Sequence, residues 1–377
     1  MMENLHRLVI SCGGTGGHFY PGLSLARTFQ RDGGDVRLLL GGKHVESQAK
    51  IAELLGIGVE KLGPMPSPGH LANAVPFARG CWHGCAAAVA LLRMFRPEAV
   101  LGMGSFASLP LTWAAYRCRV PLFLHDGNAR IGKANRWFSR WAVRLDTAFP
   151  AVNAAAAHCP VGCVGMPLRP ELRLPAPGKA AAVAELNRLY HSELRAERPT
   201  VLVFGGSQGA LAINRALPQG LALQPNRDFQ VIHLAGEAMA GEVRAAYEQA
   251  GIAALVLAGC DRMELCYAAA GLVVARAGGS TVAELIWFGK FAILVPYPYA
   301  AELHQDDNAA YLRSLGAAEI WRNAECTPER VRDFFTAFLA APDSWQQRGA
   351  EAKKAALPDA AEQELALIDT WLGRKRA

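Results

Sequence analysis

Two doubly wound parallel-sheet α/β domains in series are the fold class that this sequence predicts. Three observations carry that prediction. Short, wholly apolar runs alternate with longer stretches of helical spacing, the pattern of βαβ units over a parallel sheet. The two halves open alike: Arg7-Leu-Val-Ile-Ser11 runs into Gly13-Gly-Thr-Gly-Gly17, and Pro199-Thr-Val-Leu-Val-Phe204 runs into Gly205-Gly-Ser-Gln-Gly209. The chain has 377 residues, 51% hydrophobic and 19% charged, enough apolar material for two ordinary cores and too little charge for disorder.

Taken in order, the first half offers strands at Leu8–Ser11, Val36–Leu40, Ala99–Leu101 and Pro121–His125. The second offers Thr200–Phe204, Gln230–Leu234, Ala254–Leu257, Leu272–Ala275 and Phe291–Val295. Between them Gly165–Ala180, rich in proline, reads as a linker. The tail, Trp345–Ala356 and Asp359–Leu372, has helical spacing, and its last helix is expected to cross back onto the first domain. The expected boundaries are 1–165 with 350–377 for the first domain and 166–349 for the second. In open parallel sheets ligands bind beyond the carboxyl ends of the strands, where the glycine-rich turns lie.

Charge and cysteine narrow the class. The net charge is +6, and between Arg79 and Arg144 there are ten Lys or Arg against two acids, Glu98 and Asp126. Such a face suits an anionic partner or simply a solvated surface. Nine cysteines lie scattered without a CxxC pair, and no ordered zinc constellation completes Cys81/Cys85 or Cys159/Cys163. Reduced thiols in a cytoplasmic protein are expected. Leu8–Cys12 resembles a lipoprotein cleavage box, but its apolar stretch is too short and runs into a glycine turn. No apolar run approaches the ~20 residues of a membrane span.

The motifs carry the chemistry. Gly13–Gly17 with His18 offers backbone N–H groups and a helix N-terminus to an oxyanion; a plain tight turn is the alternative. The dinucleotide pattern fails there, because Phe19 occupies the third glycine position. Gly127-Asn-Ala-Arg-Ile-Gly-Lys133-Ala134 resembles a P-loop but ends in Ala where Ser or Thr would hold magnesium. A second anion turn is Gly205–Gly209 with Ser207. A third is Arg276-Ala-Gly-Gly-Ser-Thr281-Val-Ala-Glu284, where Glu284, read as lying in the first helical turn, could accept both hydroxyls of a ribose or merely cap the helix. After Pro296-Tyr-Pro298, the amides of Gln305 and Asn308 share a helix face and suit sugar hydroxyls; loop anchoring is the alternative.

Four motifs in this order, Gly-Gly-Thr-Gly-Gly-His, Gly-Gly-Ser-Gln-Gly-Ala, Arg-x-Gly-x-x-Thr-x-x-Glu and Pro-x-Pro…His-Gln-x-x-Asn, closely resemble the MurG family. These are the bacterial UDP-N-acetylglucosamine–undecaprenyl-pyrophosphoryl-muramyl-pentapeptide N-acetylglucosaminyltransferases. The resemblance spans about Leu8 to Ala360. It implies a GT-B fold of two Rossmann-like domains facing an interdomain cleft. It also implies an inverting, metal-independent conversion of lipid I to lipid II in peptidoglycan synthesis. By matched position, Thr15, Gly16, Gly17, Asn128, Arg169, Ser207, Thr281, Glu284 and Gln305 inherit contacts to UDP-N-acetylglucosamine. Backbone groups of Gly279 and Ser280 would meet the diphosphate, and the uracil contact maps near Cys260. The family's His-Glu-Gln-Asn reads His125-Asp-Gly-Asn128 here, its Gly-Gly-Tyr reads Gly104-Ser-Phe106, and the Asn of its Gly-Asn-Pro-x-Arg is Met166.

His18 is the expected general base, since an imidazole ordinarily titrates near ~6.5; Asp126 is the alternative, and binding of the acceptor diphosphate is another role for His18. No essential metal or other cofactor is expected. The expected partners are UDP-N-acetylglucosamine, the lipid I acceptor and an anionic membrane surface. Peripheral contact with the cytoplasmic face would come from Met65–Arg96, where Leu71, Val75, Phe77, Trp82, Leu91, Leu92 and Phe95 mix with Arg79, Arg93 and Arg96. A buried core helix is the rival reading of Cys85–Leu92. Other GT-B UDP-sugar transferases, a UDP-N-acetylglucosamine epimerase and a nucleotide-binding regulator are the functional rivals. Nucleic acid is not an expected partner, because no recognised module or aromatic stacking platform is present.

Overall fold

The apolar runs form two sheets, each parallel throughout, in a computed structural model that describes residues 2–14, 16–42, 44–63, 74–205, 210–299 and 301–376. The chain divides into unit 1, Met1–Arg169 with Leu357–Ala377, and unit 2, Pro170–Ala356. Relative to the expected boundaries, residues 166–169 belong with unit 1 and residues 350–356 with unit 2. Local contacts explain both shifts. The Ser24 hydroxyl donates to Leu168 O at 2.6 Å, and Gly349 packs against the backbone of Gly289–Phe291.

Unit 1 runs β1 (Arg7–Gly13), α1 (Gly16–Arg31), β2 (Asp35–Gly41), α2 (Val45–Leu54), β3 (Gly58–Lys61), α3 (Ala74–Phe95), β4 (Ala99–Gly102), α4 (Leu109–Cys118), β5 (Leu122–Asp126), α5 (Lys133–Phe138), β6 (Arg144–Thr147) and β7 (Val161–Cys163). The sheet order is β3-β2-β1-β4-β5-β6-β7. β1, β4 and β5 are buried along nearly their whole length, which is why they read as unbroken apolar runs rather than alternating ones. Burying one such Leu, Val or Ile contributes ~1.5–3 kcal/mol.

Unit 2 runs α6 (Pro170–Arg173), α7 (Lys179–Tyr190), β8 (Thr200–Phe204), α8 (Leu211–Ala222), β9 (Gln230–Leu234), α9 (Ala240–Gln249), β10 (Ala254–Leu257), α10 (Met263–Ala269), β11 (Leu272–Ala275), α11 (Gly279–Phe288), β12 (Ala292–Leu294), α12 (His304–Ser314), β13 (Ala318–Ile320), α13 (Pro328–Ala340) and α14 (Pro342–Ala352). Its order is β10-β9-β8-β11-β12-β13. The last helix, α15 (Ala360–Arg376), returns to unit 1 and buries Leu365, Ile368 and Leu372 in the core formed with α1 and β1.

In both sheets the strand order reverses direction beside the first strand, between β1 and β4 and between β8 and β11. Those are the switch points where a crevice opens beyond the strand ends. The expected linker holds the short helix α6 and the start of α7. Four strands escaped the sequence reading: β3, β6, β7 and β13. β3, β7 and β13 are edge strands and β6 lies beside one; β3, β6 and β13 carry polar residues, and β7 is only three residues long. β6 conceals a buried charge, since Arg144 Nε donates to Asp146 Oδ1 at 2.7 Å.

Candidate active site

In unit 1 the chemistry gathers at the carboxyl ends of β1, β4 and β5. The β1–α1 turn is pressed against the end of β2. A Cβ on Gly13 would lie 2.6 Å from Gly41 O, and one on Gly42 would lie 2.7 Å from Gly14 Cα. Only glycine fits that approach, which sets the backbone of Gly14 and Gly16 at the mouth of the switch point. α1 starts at Gly16 with no acidic residue in its first turn, so its positive end meets no competing carboxylate on its own helix.

His18 sits on that first turn, half-buried, with Nδ1 2.8 Å from Met103 O after β4. A carbonyl only accepts, so Nδ1 carries the proton, and in the neutral ring the lone pair is placed on Nε2. The ring also rests on Gly104, where a Cβ would lie 3.4 Å from His18 Cε1. Next to it Ser105 adopts φ 68 and ψ 152, a region almost confined to glycine. The residue that departs from the family's second glycine is therefore the strained one. Arg169 lies over the ring of Tyr20 at 5.2 Å, and the same ring lies against Gly16, so the guanidinium is held beside the turn.

Asp126, the alternative base of the sequence reading, sits in a dense set of hydrogen bonds. Its Oδ1 accepts from Asn128 N and Asn128 Nδ2, both at 3.2 Å. Its Oδ2 accepts from Gly132 N at 2.9 Å and Asn135 Nδ2 at 3.0 Å. Four donors occupy a carboxylate that has about four lone-pair sites, so Asp126 holds the loop that carries Asn128. The two departures at 127 and 166 touch: a Cβ on Gly127 would meet Met166 Cε at 3.1 Å. A glycine and a buried thioether thus share the space between them.

Beneath this edge lies a pair that sequence gave no role. His125 Nδ1 and Glu364 Oε2 of α15 are 2.8 Å apart, and both side chains are buried. Burial alone would lower the His125 pKa, but the charge and hydrogen bond of Glu364 outweigh it and raise it. Burial, with Glu364 nearby, lifts Asp146 to about 6. Glu364 lies far from His125 in sequence, and no short-range signal could have joined them.

In unit 2 the helix start at the corresponding edge is lined by neutral groups, with Glu284 further along the helix and Arg276 turned inward. α11 starts after Gly278 with no side-chain cap and no acidic residue in its first turn. The N–H groups of Gly279, Ser280 and Thr281 therefore face outward at a positive helix end, the standard seat for a phosphate. Ser280 Oγ is buried with no protein partner, a hydroxyl suited to a ligand at that seat. Glu284 lies one turn further in than expected, beyond the reach of a capping acid. Its Oε2 accepts from Tyr267 OH at 2.8 Å, and Tyr267 stacks on Phe288 at 4.7 Å. That aligns the carboxylate for a vicinal diol.

Gln305 and Asn308 anchor the loop as well. Gln305 Oε1 accepts from Tyr297 N at 2.8 Å and Ala277 N at 3.3 Å, and Asn308 Nδ2 donates to Ala277 O at 3.0 Å. They clamp one residue, Ala277, by its N–H and its carbonyl, immediately before the start of α11, which leaves the Gln305 amide N–H groups as its remaining donors. Arg276 of the same motif is turned inward, donating to Val295 O, Pro296 O and Asn323 Oδ1. Cys260 follows β10 and is linked to Glu284 through α10, the helix that supplies Tyr267. Thr15 and residues 206–209 of the second glycine turn, Ser207 among them, lie outside the described residues.

The surface patch on unit 1 also differs from expectation. Residues 65–73, Leu71 among them, and the Val75 side chain lie outside the described parts. Leu91 and Leu92 are buried against α4 with Leu111, Ala114 and Ala115. Trp82 and Met94 are exposed, beside exposed Arg79, Arg93 and Arg96. A larger aromatic group was missed. Trp113 and Tyr116 of α4 and Trp137 and Trp141 at α5 are all exposed, with Tyr116–Trp141 at 5.7 Å and Trp137–Trp141 at 4.8 Å. Exposed Arg117, Arg119 and Arg140 flank it. Trp113 and Tyr116 are i, i+3 on α4, while Trp137 lies on α5 and Trp141 in the turn after it, so a linear scan does not join the two pairs. Among the described residues no helix is long and apolar enough to cross a membrane, and no three His, Cys, Asp or Glu cluster as a metal site.

Comparison with known proteins agrees with this geometry. Residues 8–146 match the glycosyltransferase family 28 N-terminal domain and residues 200–364 match the glycosyltransferase family 28 C-terminal domain. A protein of Hahella chejuensis is 35% identical over 365 residues, covering 93% of this chain and 94% of its own. One of Halorhodospira halophila is 36% identical, covering 95% and 96%. Both are named UDP-N-acetylglucosamine–N-acetylmuramyl-(pentapeptide) pyrophosphoryl-undecaprenol N-acetylglucosamine transferase. The crystal structure of Acinetobacter baumannii MurG superposes with TM-score 0.76 at 27% identity, covering 97% of this chain and 99% of that one. A UDP-N-acetylglucosamine 2-epimerase from Neisseria meningitidis, at 10% identity and TM-score 0.67, shares the fold alone.

Proposed function

This chain belongs to glycosyltransferase family 28, within the group of UDP-N-acetylglucosamine–N-acetylmuramyl-(pentapeptide) pyrophosphoryl-undecaprenol transferases, and from that premise we propose how it works. It moves N-acetylglucosamine from UDP-N-acetylglucosamine to undecaprenyl-pyrophosphoryl-N-acetylmuramyl-pentapeptide, converting lipid I to lipid II. The observation that carries the reading on this chain is the unit 2 edge: an uncapped helix start with an unpartnered Ser280 hydroxyl, followed one turn later by a carboxylate that Tyr267 aligns.

In this reading the diphosphate sits on the N–H groups of Gly279, Ser280 and Thr281, and Glu284 takes the ribose hydroxyls. Nε2 of His18 removes the proton of the attacking acceptor hydroxyl. The new bond forms at the anomeric carbon on the face opposite UDP, the bond to phosphate breaks, and the configuration inverts. The departing diphosphate gains charge, which the fixed amide dipoles at the start of α11 stabilise without reorganising. Asp126 keeps its role as loop builder. No metal enters this scheme, and unchanged turnover in excess EDTA is the expected result.

The aromatic group at α4 and α5, with its flanking arginines, supports peripheral binding to an anionic membrane surface. Vesicles containing anionic lipid should carry the protein upward on flotation, and neutral vesicles should carry less; equal absence from both would reject membrane contact. The function itself is tested by incubating the chain with both substrates and weighing the lipid product. Gain of one N-acetylhexosamine residue, only when both substrates are present, is expected. Release of a free sugar or an epimerised donor without lipid product would refute the assignment.

A further inference from the structure

Cys260 and Cys266 take no part in the reaction described, yet their sulfurs lie 3.7 Å apart. Cys266 is completely buried on α10 and Cys260 is half-buried in the loop before it. The hydroxyl of Tyr190, on α7, is 3.3 Å from Cys260 Sγ. Two thiols in contact, one accessible and one hidden, with a phenol on the accessible sulfur, form an attacking and resolving pair.

We propose that Cys260 and Cys266 are an oxidation site at which a hydroperoxide closes a reversible disulfide that weakens donor binding. The second half of this statement rests on the reading that places the uracil near Cys260. The Cys266 S–H points its hydrogen bond at Cys260 and the Tyr190 hydroxyl lies against the same sulfur; the contact with Cys266 leads in holding the Cys260 pKa below the ordinary thiol value, which makes Cys260 the attacking sulfur. Burial and the same contact raise Cys266, which stays a thiol.

The chemistry balances. The Cys260 thiolate attacks the distal oxygen of the peroxide; the S–O bond forms, the O–O bond breaks, and the departing oxide takes up a proton. Cys266 then gives up its proton as its sulfur attacks Cys260; the S–S bond forms and the S–O bond breaks, releasing water. Two thiols are oxidised by two electrons and one peroxide is reduced. A dithiol returns both cysteines to thiols by two successive thiol–disulfide exchanges and is itself oxidised to its disulfide. Closure draws the loop that carries Cys260 toward α10, because a disulfide holds its sulfurs ~2.0 Å apart.

The test uses the full chain, hydrogen peroxide and UDP-N-acetylglucosamine. After mild peroxide, the expected peptide map contains a Cys260–Cys266 cross-link that dithiothreitol removes. The dissociation constant for the donor should rise about tenfold and return on reduction. In Cys266→Ser, Cys260 should stop as a sulfenic acid that dimedone traps, and the reduced variant should bind donor as the parent does. Oxidation of exposed Cys163 ahead of any cross-link would overturn the proposal, and so would a cross-link that leaves donor affinity unchanged. If the reduced parent fails to bind the donor at all, the donor reading falls, while the peptide map still decides the disulfide.

Discussion

Each unit places a helix start beyond its sheet, but the two edges are held in different ways. Unit 1 is tied by charge: Asp126 collects four donors, Arg144 meets Asp146, and His125 meets Glu364 from the other end of the chain. Unit 2 is tied more by neutral groups, with Arg276 as a charged exception. Gln305 and Asn308 clamp Ala277, Tyr267 stacks on Phe288, and the buried His233 is a neutral imidazole in a closed chain of partners. Asn214 Nδ2 donates to Ala235 O, so Asn214 Oδ1 accepts from His233 Nε2 at 3.1 Å, and Nδ1 accepts from Tyr247 OH at 3.0 Å. The lesson is chemical. The unit 1 edge is braced by ionised groups, whereas the start of α11 in unit 2 has no acidic residue in its first turn and is held by amide and ring contacts.

The largest break in that comparison comes from removing the proton acceptor of unit 1. His18→Ala should lower kcat by about 10²–10⁴-fold. Near-parental turnover in a steady-state assay would move the base elsewhere. Next comes the buried pair: Glu364→Ala strands His125 and should cost ~3–5 kcal/mol, read by urea unfolding. No uncharged contact in unit 2 is expected to match it.

The two buried histidines should answer pH in opposite directions. His233 is lowered to about 3 by burial, so its contribution is complete above the ordinary ~6.5 and is lost as pH falls from there toward 3. The shift corresponds to a few kcal/mol, on the order of 1.4 per pKa unit. His125 is raised, so its contribution is complete below ~6.5 and is lost as pH climbs through its folded value. Amide exchange corrected for intrinsic rate should therefore quicken in β9 on acidification and in α15 on mild alkalinisation. Parallel responses would erase the distinction. The smallest effect is local: Ser105→Gly relieves a backbone conformation suited to glycine and should stabilise unit 1 by about 1 kcal/mol in the same urea measurement.

Much of this was legible in the sequence because it rests on short-range pattern. Nine apolar runs marked their strands, and the glycine turns marked the ends of β1 and β11, since a buried parallel strand and a helix start each have a compact signature. What was not legible depends on contacts across the chain. Asp126 and Gln305 carried residue types that fit catalysis or sugar binding, and only their donors and acceptors show them as loop builders. Polar β6 hid because its charges are paired inside the fold. His125 and Glu364, Cys260 and Tyr190, and the four exposed aromatics of α4 and α5 are neighbours in space but not in the chain.

Calorimetric titration of UDP-N-acetylglucosamine into His18→Ala and Glu284→Ala tests the division of labour most directly. His18→Ala should bind the donor within about twofold of the parent, while Glu284→Ala should bind at least about tenfold more weakly. Loss of donor affinity in His18→Ala with parental affinity in Glu284→Ala would contradict it.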